Sequence, residues 1–465
     1  MNDKPPTPPT VEYRCPGGRQ PISRAVHLGR LAAFYPACRE CPHREDTGSL
    51  SPRQVEQLAE TVQRRRPRPL FHDEGAGGVF LDDLAPADAR LIAAAFGVIV
   101  RGEAAEEKGE ERREKREEGE DNEKPSTHHS SFNIQHFPNP QSLIPNPSIV
   151  LAGDGRPIAA ELVAAVAEGL RWSGRDVVDI GPATAACMAF AVHHLRAAGG
   201  VLVGNPGLAP HEVGLQFWTA GPRPLSAGGG LESVAQPAET DPGRPTRRCG
   251  RMRRFQADEP YLAALSDHYH ALRPLRVVVD SASKPLLHYL QQLCAAVACE
   301  IIPLRAARRD LPDQIRAAAA HFAVQIDGDG ETCRVFDEQG REAPPARLLL
   351  LLARHIRDEA ALSEDVRESS PVSVVLEIGA SHAVAERLER LGLRPITSGP
   401  RRAEVSAAMQ EHGAMLGFGP GARYWHSQAG VPLPDALMTV TRLLKLLSRG
   451  DEPFSGVLDR DVPAV

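Results

Sequence analysis

The sequence predicts an α/β protein in which three consecutive α/β/α domains with mixed sheets follow an N-terminal cysteine-containing extension. Short runs of β-branched and other apolar residues alternate with Ala- and Leu-rich segments of helical periodicity. This alternation occurs in three successive blocks, and a Gly/Pro-rich segment separates the first block from the second. Short connections between such strands and helices are typical of a sheet that carries helices on both faces.

The boundaries of the predicted segments follow from these patterns. The segments are the extension (1–50), the first domain (51–218), a charged and disordered insertion within it (102–148), a linker (219–254), the second domain (255–360), the third domain (361–450) and a tail (451–465). Predicted strands lie at 149–152, 177–180, 200–203, 276–280, 300–303, 323–326, 334–337, 372–378 and 394–397. Predicted helices lie at 51–65, 86–100, 159–172, 183–198, 284–298, 348–357, 383–392 and 402–412.

Charge and composition exclude several classes of protein. The 465 residues include 54 basic and 60 acidic side chains, a net charge of −6. Residues 103–124 hold 11 acidic and 6 basic side chains, so they carry −5 of that charge and the remaining residues carry −1. A nearly neutral folded part argues against a nucleic-acid partner, and no apolar run approaches the roughly 18 residues of a membrane span. Eight cysteines do not suffice for a disulfide scaffold, so we expect a cytoplasmic protein with reduced thiols.

Three of the cysteines lie in the N-terminal extension. Cys38 and Cys41 form a Cys-x2-Cys pair, His43 follows two residues later, and Cys15 lies upstream. This set can supply Zn²⁺ with a Cys₃His tetrahedron, with His27 as the rival fourth ligand. Ordinary reduced thiols are the alternative, because zinc ribbons usually contain two such pairs. A zinc-anchored scaffold that docks a partner protein is therefore one hypothesis for the function.

Short motifs occur in a fixed order at the predicted loops. They are LFHDEGAGGV (70–79), AGDGRP (152–157), VDIG (178–181), GLQF (214–217), DGDG (327–330), DEQG (337–340), TSGPR (397–401) and LGFG (416–419). In this order and spacing they resemble the motifs of the α-D-phosphohexomutase family, the phosphoglucomutases and phosphomannomutases, over about residues 70–460. The resemblance implies an isomerase of carbohydrate metabolism that transfers a phosphoryl group within a hexose phosphate. In that family an active-site serine carries the phosphoryl group beside a Mg²⁺ ion held by three aspartates.

The position of the family's serine is occupied by a residue that cannot carry phosphate. Alignment on Gly214 and Leu215 places the nucleophile position at Pro206, and residues 200–218 contain no serine or threonine. Proline has no hydroxyl, so we predict that there is no catalytic serine.

The metal loop is better kept than the serine loop. Asp327 and Asp329 match the family's first two aspartates, and Glu331 stands at the third position. These three carboxylates predict a Mg²⁺ site, because hard divalent cations bind oxygen ligands. A bare Asp-Gly turn is the alternative.

On the sugar side, the resemblance points to arginines in the third domain. Arg401 (with Arg402 beside it) and Arg423 are the predicted substrate-binding side chains, because guanidinium groups bind phosphate. The Glu and Ser of the family's sugar loop are replaced by Gly419 and Gly421.

These comparisons with the family pattern lead to one favoured hypothesis and two alternatives. The arginine of the family's opening motif is replaced by Gly77, and we expect no counterpart of the family's fourth domain after residue 451. We therefore expect a degenerate phosphohexomutase-like protein that binds a hexose phosphate or a partner protein and lacks phosphoserine-dependent mutase activity. The alternatives are a divergent but active Mg²⁺-dependent intramolecular phosphotransferase and the zinc-anchored scaffold.

Overall fold

Three separate β-sheets, each with helices packed on it, organise the described chain. The computed structural model describes residues 13–15, 20–33, 35, 38, 41–63, 69–100, 148–205, 208–209, 211–239, 248–304, 311–362, 371–379, 382–428 and 430–461. Within these residues the sheets have eight, four and five strands. Each sheet contains parallel and antiparallel pairs, which confirms the predicted succession of α/β domains with mixed sheets.

The N-terminal extension contains helices α1 (Arg24–Ala32) and α2 (Pro52–Gln63). Ser23 caps α1 by accepting a hydrogen bond from the backbone of Val26. The ring of Tyr13 stacks on His27, with ring centroids 4.5 Å apart. These contacts tie the segment before α1 to the helix.

The first sheet has the strand order β1-β2-β6-β5-β3-β4-β8, and β7 pairs with β6. Its strands are β1 (Phe71–His72), β2 (Gly75–Gly78), β3 (Ser148–Gly153), β4 (Asp176–Pro182), β5 (Gly199–Gly204), β6 (Val213–Thr219), β7 (Arg223–Pro224) and β8 (Met252–Arg254). Its helices are α3 (86–100), α4 (Pro157–Trp172), α5 (Ala185–His194) and α6 (Glu232–Glu239). Pro157 begins α4, and Thr184 caps α5 by accepting from Cys187 N–H.

The segment that was predicted as a linker contributes two strands to the first sheet. Strands β7 and β8 both lie within residues 219–254, and β8 pairs in parallel with β4. All three residues of β8 are exposed. An exposed edge strand pairs through its backbone, so no hydrophobic pattern marks it in the sequence. Of the predicted insertion, residues 102–147 lie outside the described part of the chain, and residue 148 begins β3.

The second and third sheets follow in order along the chain. The second, ordered β10-β9-β11-β12, consists of β9 (Arg276–Ser281), β10 (Glu300–Pro303), β11 (Phe322–Ile326) and β12 (Cys333–Asp337), with α7 (Asp258–Ser266), α8 (Lys284–Cys294), α9 (Leu311–Ala317) and α10 (Pro345–Leu362). The third, ordered β14-β13-β15-β16-β17, consists of β13 (Ser373–Glu377), β14 (Arg394–Ser398), β15 (Leu416–Gly419), β16 (Arg423–Gln428) and β17 (Val431–Pro434), with α11 (His382–Arg390), α12 (Arg402–Glu411) and α13 (Ala436–Leu447).

One of the four apolar clusters of the described residues extends through all three domains. A continuous cluster of buried residues extends from Val150 in β3 to Leu458 in a last helix, α14 (Phe454–Asp461). The predicted tail therefore contains a docked helix, whose Phe454 ring lies 6.2 Å from that of Phe322. No described helix is long and apolar enough to cross a membrane.

Candidate functional site

The loop that joins β11 to β12, residues 327–332, lies where all three domains meet. Backbone N–H groups at the starts of two helices donate to its carbonyl groups. Ala185 at the start of α5 donates to the Asp329 carbonyl (3.0 Å), and Ala436 at the start of α13 donates to the Gly330 carbonyl (2.9 Å). The first and third domains thus hold the carboxylate loop of the second domain in place.

Asp327 folds its carboxylate back onto its own loop. Its Oδ1 accepts from the backbone of Glu331 (2.8 Å), and its Oδ2 accepts from the backbone (3.2 Å) and the hydroxyl (2.9 Å) of Thr332. Burial and the nearby carboxylate of Glu331 nevertheless raise the pKa of Asp327. This is the hydrogen-bonding pattern of a tight Asp-Gly turn.

Asp329 contacts the first domain. Its Oδ1 accepts from the backbone N–H of Asn205 (2.9 Å), and its Oδ2 accepts from the side-chain amide of Gln216 (3.3 Å). The residue is 3% exposed. Burial, with the adjacent carboxylates of Asp327 and Glu331, raises the pKa of Asp329 well above its ordinary value.

Glu331 faces two arginines of the third domain. Its Oε2 accepts from Nε (2.9 Å) and Nη2 (2.6 Å) of Arg402, the first residue of α12, and lies 3.3 Å from Nε of Arg423 in β16. Both guanidinium groups also approach Glu74, in the turn between β1 and β2, at 3.0 Å from Arg402 and 3.8 Å from Arg423. We call Glu74, Glu331, Arg402 and Arg423 the ion cluster.

The charges of the ion cluster stabilise one another. Burial by itself disfavours the charged guanidinium of Arg402, but the carboxylates of Glu331 and Glu74 outweigh burial and raise its pKa. The side chains of Arg402 and Glu331 are 3% and 1% exposed. Arg402 therefore stays protonated between two carboxylates that belong to two other domains.

Magnesium does not fit the three carboxylates as they are arranged. Mg²⁺ requires near-octahedral oxygen coordination, yet five of the six oxygens of Asp327, Asp329 and Glu331 accept hydrogen bonds from the protein. Glu331 Oε1 is the buried oxygen of this set that has no hydrogen-bond partner. Among the described residues, no three His, Cys, Asp or Glu side chains are grouped so that they could hold a metal ion.

Hydrogen bonds within the segment hold the counterpart of the serine loop in place. Pro206, the predicted nucleophile position, lies outside the described residues. Beside it, the Asn205 side chain accepts from the backbone of Leu208 (2.6 Å) and donates to the carbonyl of Ala209 (2.9 Å). Glu212 in turn accepts from the backbone of Ala209 (2.9 Å).

The two predicted phosphate-binding arginines differ in their surroundings. Arg423 lies in the ion cluster with 10% of its side chain exposed. The side chain of Arg401, at the N-cap of α12, is 38% exposed and has longer ion pairs, at 3.6 Å to Asp73 and 4.0 Å to Glu404. Arg402, the neighbour of Arg401 in the sequence, turns inward. Of the three, Arg401 is the guanidinium that faces solvent.

The N-terminal cysteines do not assemble with the predicted histidine. Cys15, Cys38 and Cys41 are buried free thiols, and Arg30 Nη1 lies 2.9 Å from the sulfur of Cys15. The ring of His43 packs edge-on against Tyr13, with centroids 5.3 Å apart. The described geometry therefore gives the zinc prediction no support.

Sequence reasoning missed the role of Glu74 and the inward direction of Arg402. The hydrogen bonds of Arg402 join residues 71 and 328 positions apart in the sequence, so no local pattern marks them. Gly77, by contrast, marks in the sequence a place where this loop differs from the family. A Cβ at this position would lie 2.6 Å from Leu208 Cδ1 and 2.7 Å from the Gly214 Cα atom, so the arginine that the family has there could not fit this loop.

Comparisons with known proteins agree with this architecture. A family model described as phosphoglucomutase/phosphomannomutase, alpha/beta/alpha domain I, matches residues 134–226. A phosphoglucosamine mutase from Frankia alni is 28% identical over 332 residues, which cover 67% of this chain and 70% of that protein. A phosphomannomutase/phosphoglucomutase from Pseudomonas aeruginosa is 22% identical over 320 residues, which cover 65% of this chain and 66% of that protein. The chain thus matches about two thirds of the length of these relatives.

A solved structure shows the same fold. A phosphoglucomutase/phosphomannomutase family protein from Burkholderia thailandensis superposes with a TM-score of 0.68 at 21% identity, covering 85% of this chain and 80% of that one. The succession of sheets, the ordered loop motifs and the family match agree with one another. The match of residues 134–226 to the family's domain I, together with the two relatives, supports the α-D-phosphohexomutase family for this chain.

Proposed function

We propose that this protein is a phosphohexomutase relative that binds a hexose phosphate and does not turn it over through a phosphoserine. One observation carries the proposal: residues 200–218, the counterpart of the family's serine loop, contain no serine, threonine, tyrosine or cysteine. A phosphoryl carrier must offer a nucleophilic oxygen, sulfur or nitrogen. In this segment the side chains of that kind are the exposed imidazole of His211 and the carboxylate of Glu212, which is buried and accepts a hydrogen bond from the Ala209 backbone.

The electrostatics of the cleft support the same conclusion. Phosphoryl transfer relies on cations placed to neutralise the charge on the transferring oxygens. Here the guanidinium groups of Arg402 and Arg423 are paired with carboxylates, and Asp327 and Asp329 are engaged in hydrogen bonds within the protein. In this arrangement the cations and carboxylates contact one another and offer little to a transferring phosphoryl group.

Arg401 is the side chain best suited to meet the phosphate of a bound sugar. It lies at the N-terminus of α12, where the helix dipole also favours an anion. Its exposed guanidinium has only long ion pairs to displace. A bidentate guanidinium–phosphate contact at this position would hold a hexose phosphate at the edge of the third domain.

A coupled mutase assay tests the absence of turnover. The substrates are glucose 1-phosphate and mannose 1-phosphate, with Mg²⁺ and the bisphosphate activator, and an active family member serves as positive control. We expect rates equal to the protein-free background. Turnover above background that Asp327→Ala abolishes would establish the active phosphotransferase instead, and loss with His211→Ala would point to a histidine carrier.

Equilibrium binding tests the ligand. Calorimetric titration with glucose 6-phosphate and with mannose 6-phosphate should show saturable binding, and glucose should show none. Arg401→Gln should weaken binding at least about tenfold, as expected when a charged hydrogen-bonding group is removed. The matched control is Arg394→Gln, an exposed arginine at the start of β14. No binding of either sugar phosphate contradicts this ligand and favours a partner protein.

A further inference from the structure

The ion cluster supplies the carboxylate loop with a cation of its own. Arg402 donates two hydrogen bonds to Glu331 and a third, from Nη1 (3.0 Å), to Glu74. Arg423 reinforces both contacts. Two guanidinium groups thus face two carboxylates, and all four side chains are between 1% and 14% exposed.

We propose that Arg402, supported by Arg423, takes the place of the divalent cation in this cleft, so that the three domains are joined by a metal-independent ion cluster. Glu331 occupies the third metal-ligand position of the loop. Of its two carboxylate oxygens, Oε2 is bound by the fork of Arg402, whereas Oε1 is buried without a hydrogen-bond partner among the described residues. A metal ion could bind Oε2 only if Arg402 gave up its two hydrogen bonds to Glu331.

The placement of the four residues explains why such a cluster would be stable. Each domain contributes: Glu74 belongs to the first, Glu331 to the second, and both arginines to the third. Removing one of the four side chains while the domains stay packed would leave a buried charge without its partner, which is strongly unfavourable. Arginine suits the role because its planar fork is always charged and can bind two carboxylates at once.

The relocation of positive charge fits the same picture. The family's arginine in the opening motif is replaced by Gly77, where a side chain would collide with Gly214 and Leu208. In this chain the cations come from the opposite side of the cleft, at the start of α12 and of β16. This inference goes beyond the proposed function, because the loss of turnover does not say what neutralises the carboxylates.

Metal titration of the full chain tests the proposal without any assay of activity. We expect no saturable binding of Mg²⁺ by calorimetry or of Mn²⁺ by electron paramagnetic resonance. We also expect the same unfolding temperature in EDTA and in millimolar MgCl₂. Saturable binding by the wild type that Asp329→Asn removes would overturn the proposal.

Unfolding temperatures of variants test the cation itself. Arg402→Met should lower the midpoint by roughly 5–10 °C, because it leaves buried carboxylates unpaired. Adding Glu331→Gln to Arg402→Met should recover part of that loss. The matched control is Arg390→Met, which removes a surface ion pair with Glu386 and should change the midpoint little. A midpoint for Arg402→Met equal to that of the control would overturn the proposal.

Arg402→Lys covers the case in which Arg402→Met does not fold. Lysine keeps the positive charge and loses the planar fork. The unfolding midpoint of Arg402→Lys should therefore lie below that of the wild type, by less than half the loss expected for Arg402→Met. A Lys variant as stable as the wild type would contradict the role of the fork.

Discussion

The backbone N–H of Asn205 donates a 2.9 Å hydrogen bond to Oδ1 of Asp329, across 124 residues of sequence. The bond joins the counterpart of the serine loop directly to the carboxylate loop. A Cβ atom on the preceding residue, Gly204, would lie only 3.0 Å from the same oxygen. The two loops between which a mutase would place a phosphoserine and a metal ion are therefore in direct contact.

Asp329→Asn should be neutral or stabilising, which is unusual for a buried carboxylate that accepts two hydrogen bonds. Asparagine keeps the acceptor for Asn205 N–H and removes a charge beside Asp327 and Glu331. After rotation of the Gln216 side-chain amide, the asparagine amide could also donate to Gln216 Oε1, a buried acceptor that has no partner among the described residues. We expect the free energy of unfolding in urea at pH 8 to stay the same or rise by about 1 kcal/mol.

Asp329→Ala is the control for this prediction, because it removes the acceptor as well as the charge. It should lower the free energy of unfolding by about 1–3 kcal/mol, the cost of leaving buried donors unsatisfied. Equal destabilisation by Asn and Ala would mean that the negative charge of Asp329 is required, as it would be for a bound cation.

Gly77→Ala should destabilise the first domain. The added methyl group would meet the Gly214 Cα atom and the Val213 carbonyl oxygen, both at 2.7 Å, and backbone atoms cannot move aside easily. We expect a loss of about 1–3 kcal/mol in urea unfolding. Gly379→Ala is the matched control, because a methyl group there meets no atom within 4 Å. Equal effects of the two substitutions would show that the loop has more room than the structure gives it.

The buried imidazole of His426 should make the protein less stable in acid. Burial, and then the nearby positive charge of Arg442, hold the pKa of His426 well below 6.5. The folded state keeps the ring neutral, with Nε2 2.9 Å from the Thr439 hydroxyl. As pH falls below about 6.5, the unfolded chain binds the proton that the folded chain excludes, so stability falls by up to about 1.4 kcal/mol per pH unit.

Urea unfolding between pH 7.5 and 5.5 measures this contribution. His426→Gln removes the titrating group, so the variant should lose less stability over this range than the wild type does. If the two proteins have parallel pH profiles, His426 does not carry the effect.

The N-terminal cysteines should contain no stoichiometric zinc. No metal-binding group of three such side chains exists among the described residues, and His43 packs against an aromatic ring instead. Elemental analysis of protein purified without chelators should find no zinc, and Cys38→Ser should leave the metal content unchanged. One equivalent of zinc in the wild type, absent from Cys38→Ser, would contradict this prediction and support the zinc site.

Buried strands of the first sheet were predictable because they coincide with runs of apolar residues in the sequence. The runs at 149–152, 177–180 and 200–203 are rich in apolar and β-branched residues, with Asp179 as the one charged residue, and they form β3, β4 and β5 with ends shifted by one or two residues. Strands β15 to β17, which pair with one another in antiparallel fashion, were not predicted, because Gly, Pro and polar residues interrupt their apolar pattern.

For the candidate site, the sequence predicted which residues belong to the site but not which residues they contact. The loop with Asp327, Asp329 and Glu331 was recognised from its motif, and the absence of a hydroxyl near Pro206 was visible by inspection. The hydrogen-bond partners of these carboxylates could not be predicted, because Asn205 and Arg402 reach them only after the domains have come together. A motif identifies which residues are present, whereas hydrogen bonds between domains decide what they contact.

Intact-mass measurement after incubation with glucose 1,6-bisphosphate and Mg²⁺ tests the central claim most directly. A phosphoserine-type mutase takes a phosphoryl group from this activator, so its mass increases by one phosphoryl group. For this protein we predict an unchanged mass, because residues 200–218 offer no hydroxyl to receive the group. A stoichiometric phosphoryl adduct that peptide mapping places within residues 200–218 would contradict the account.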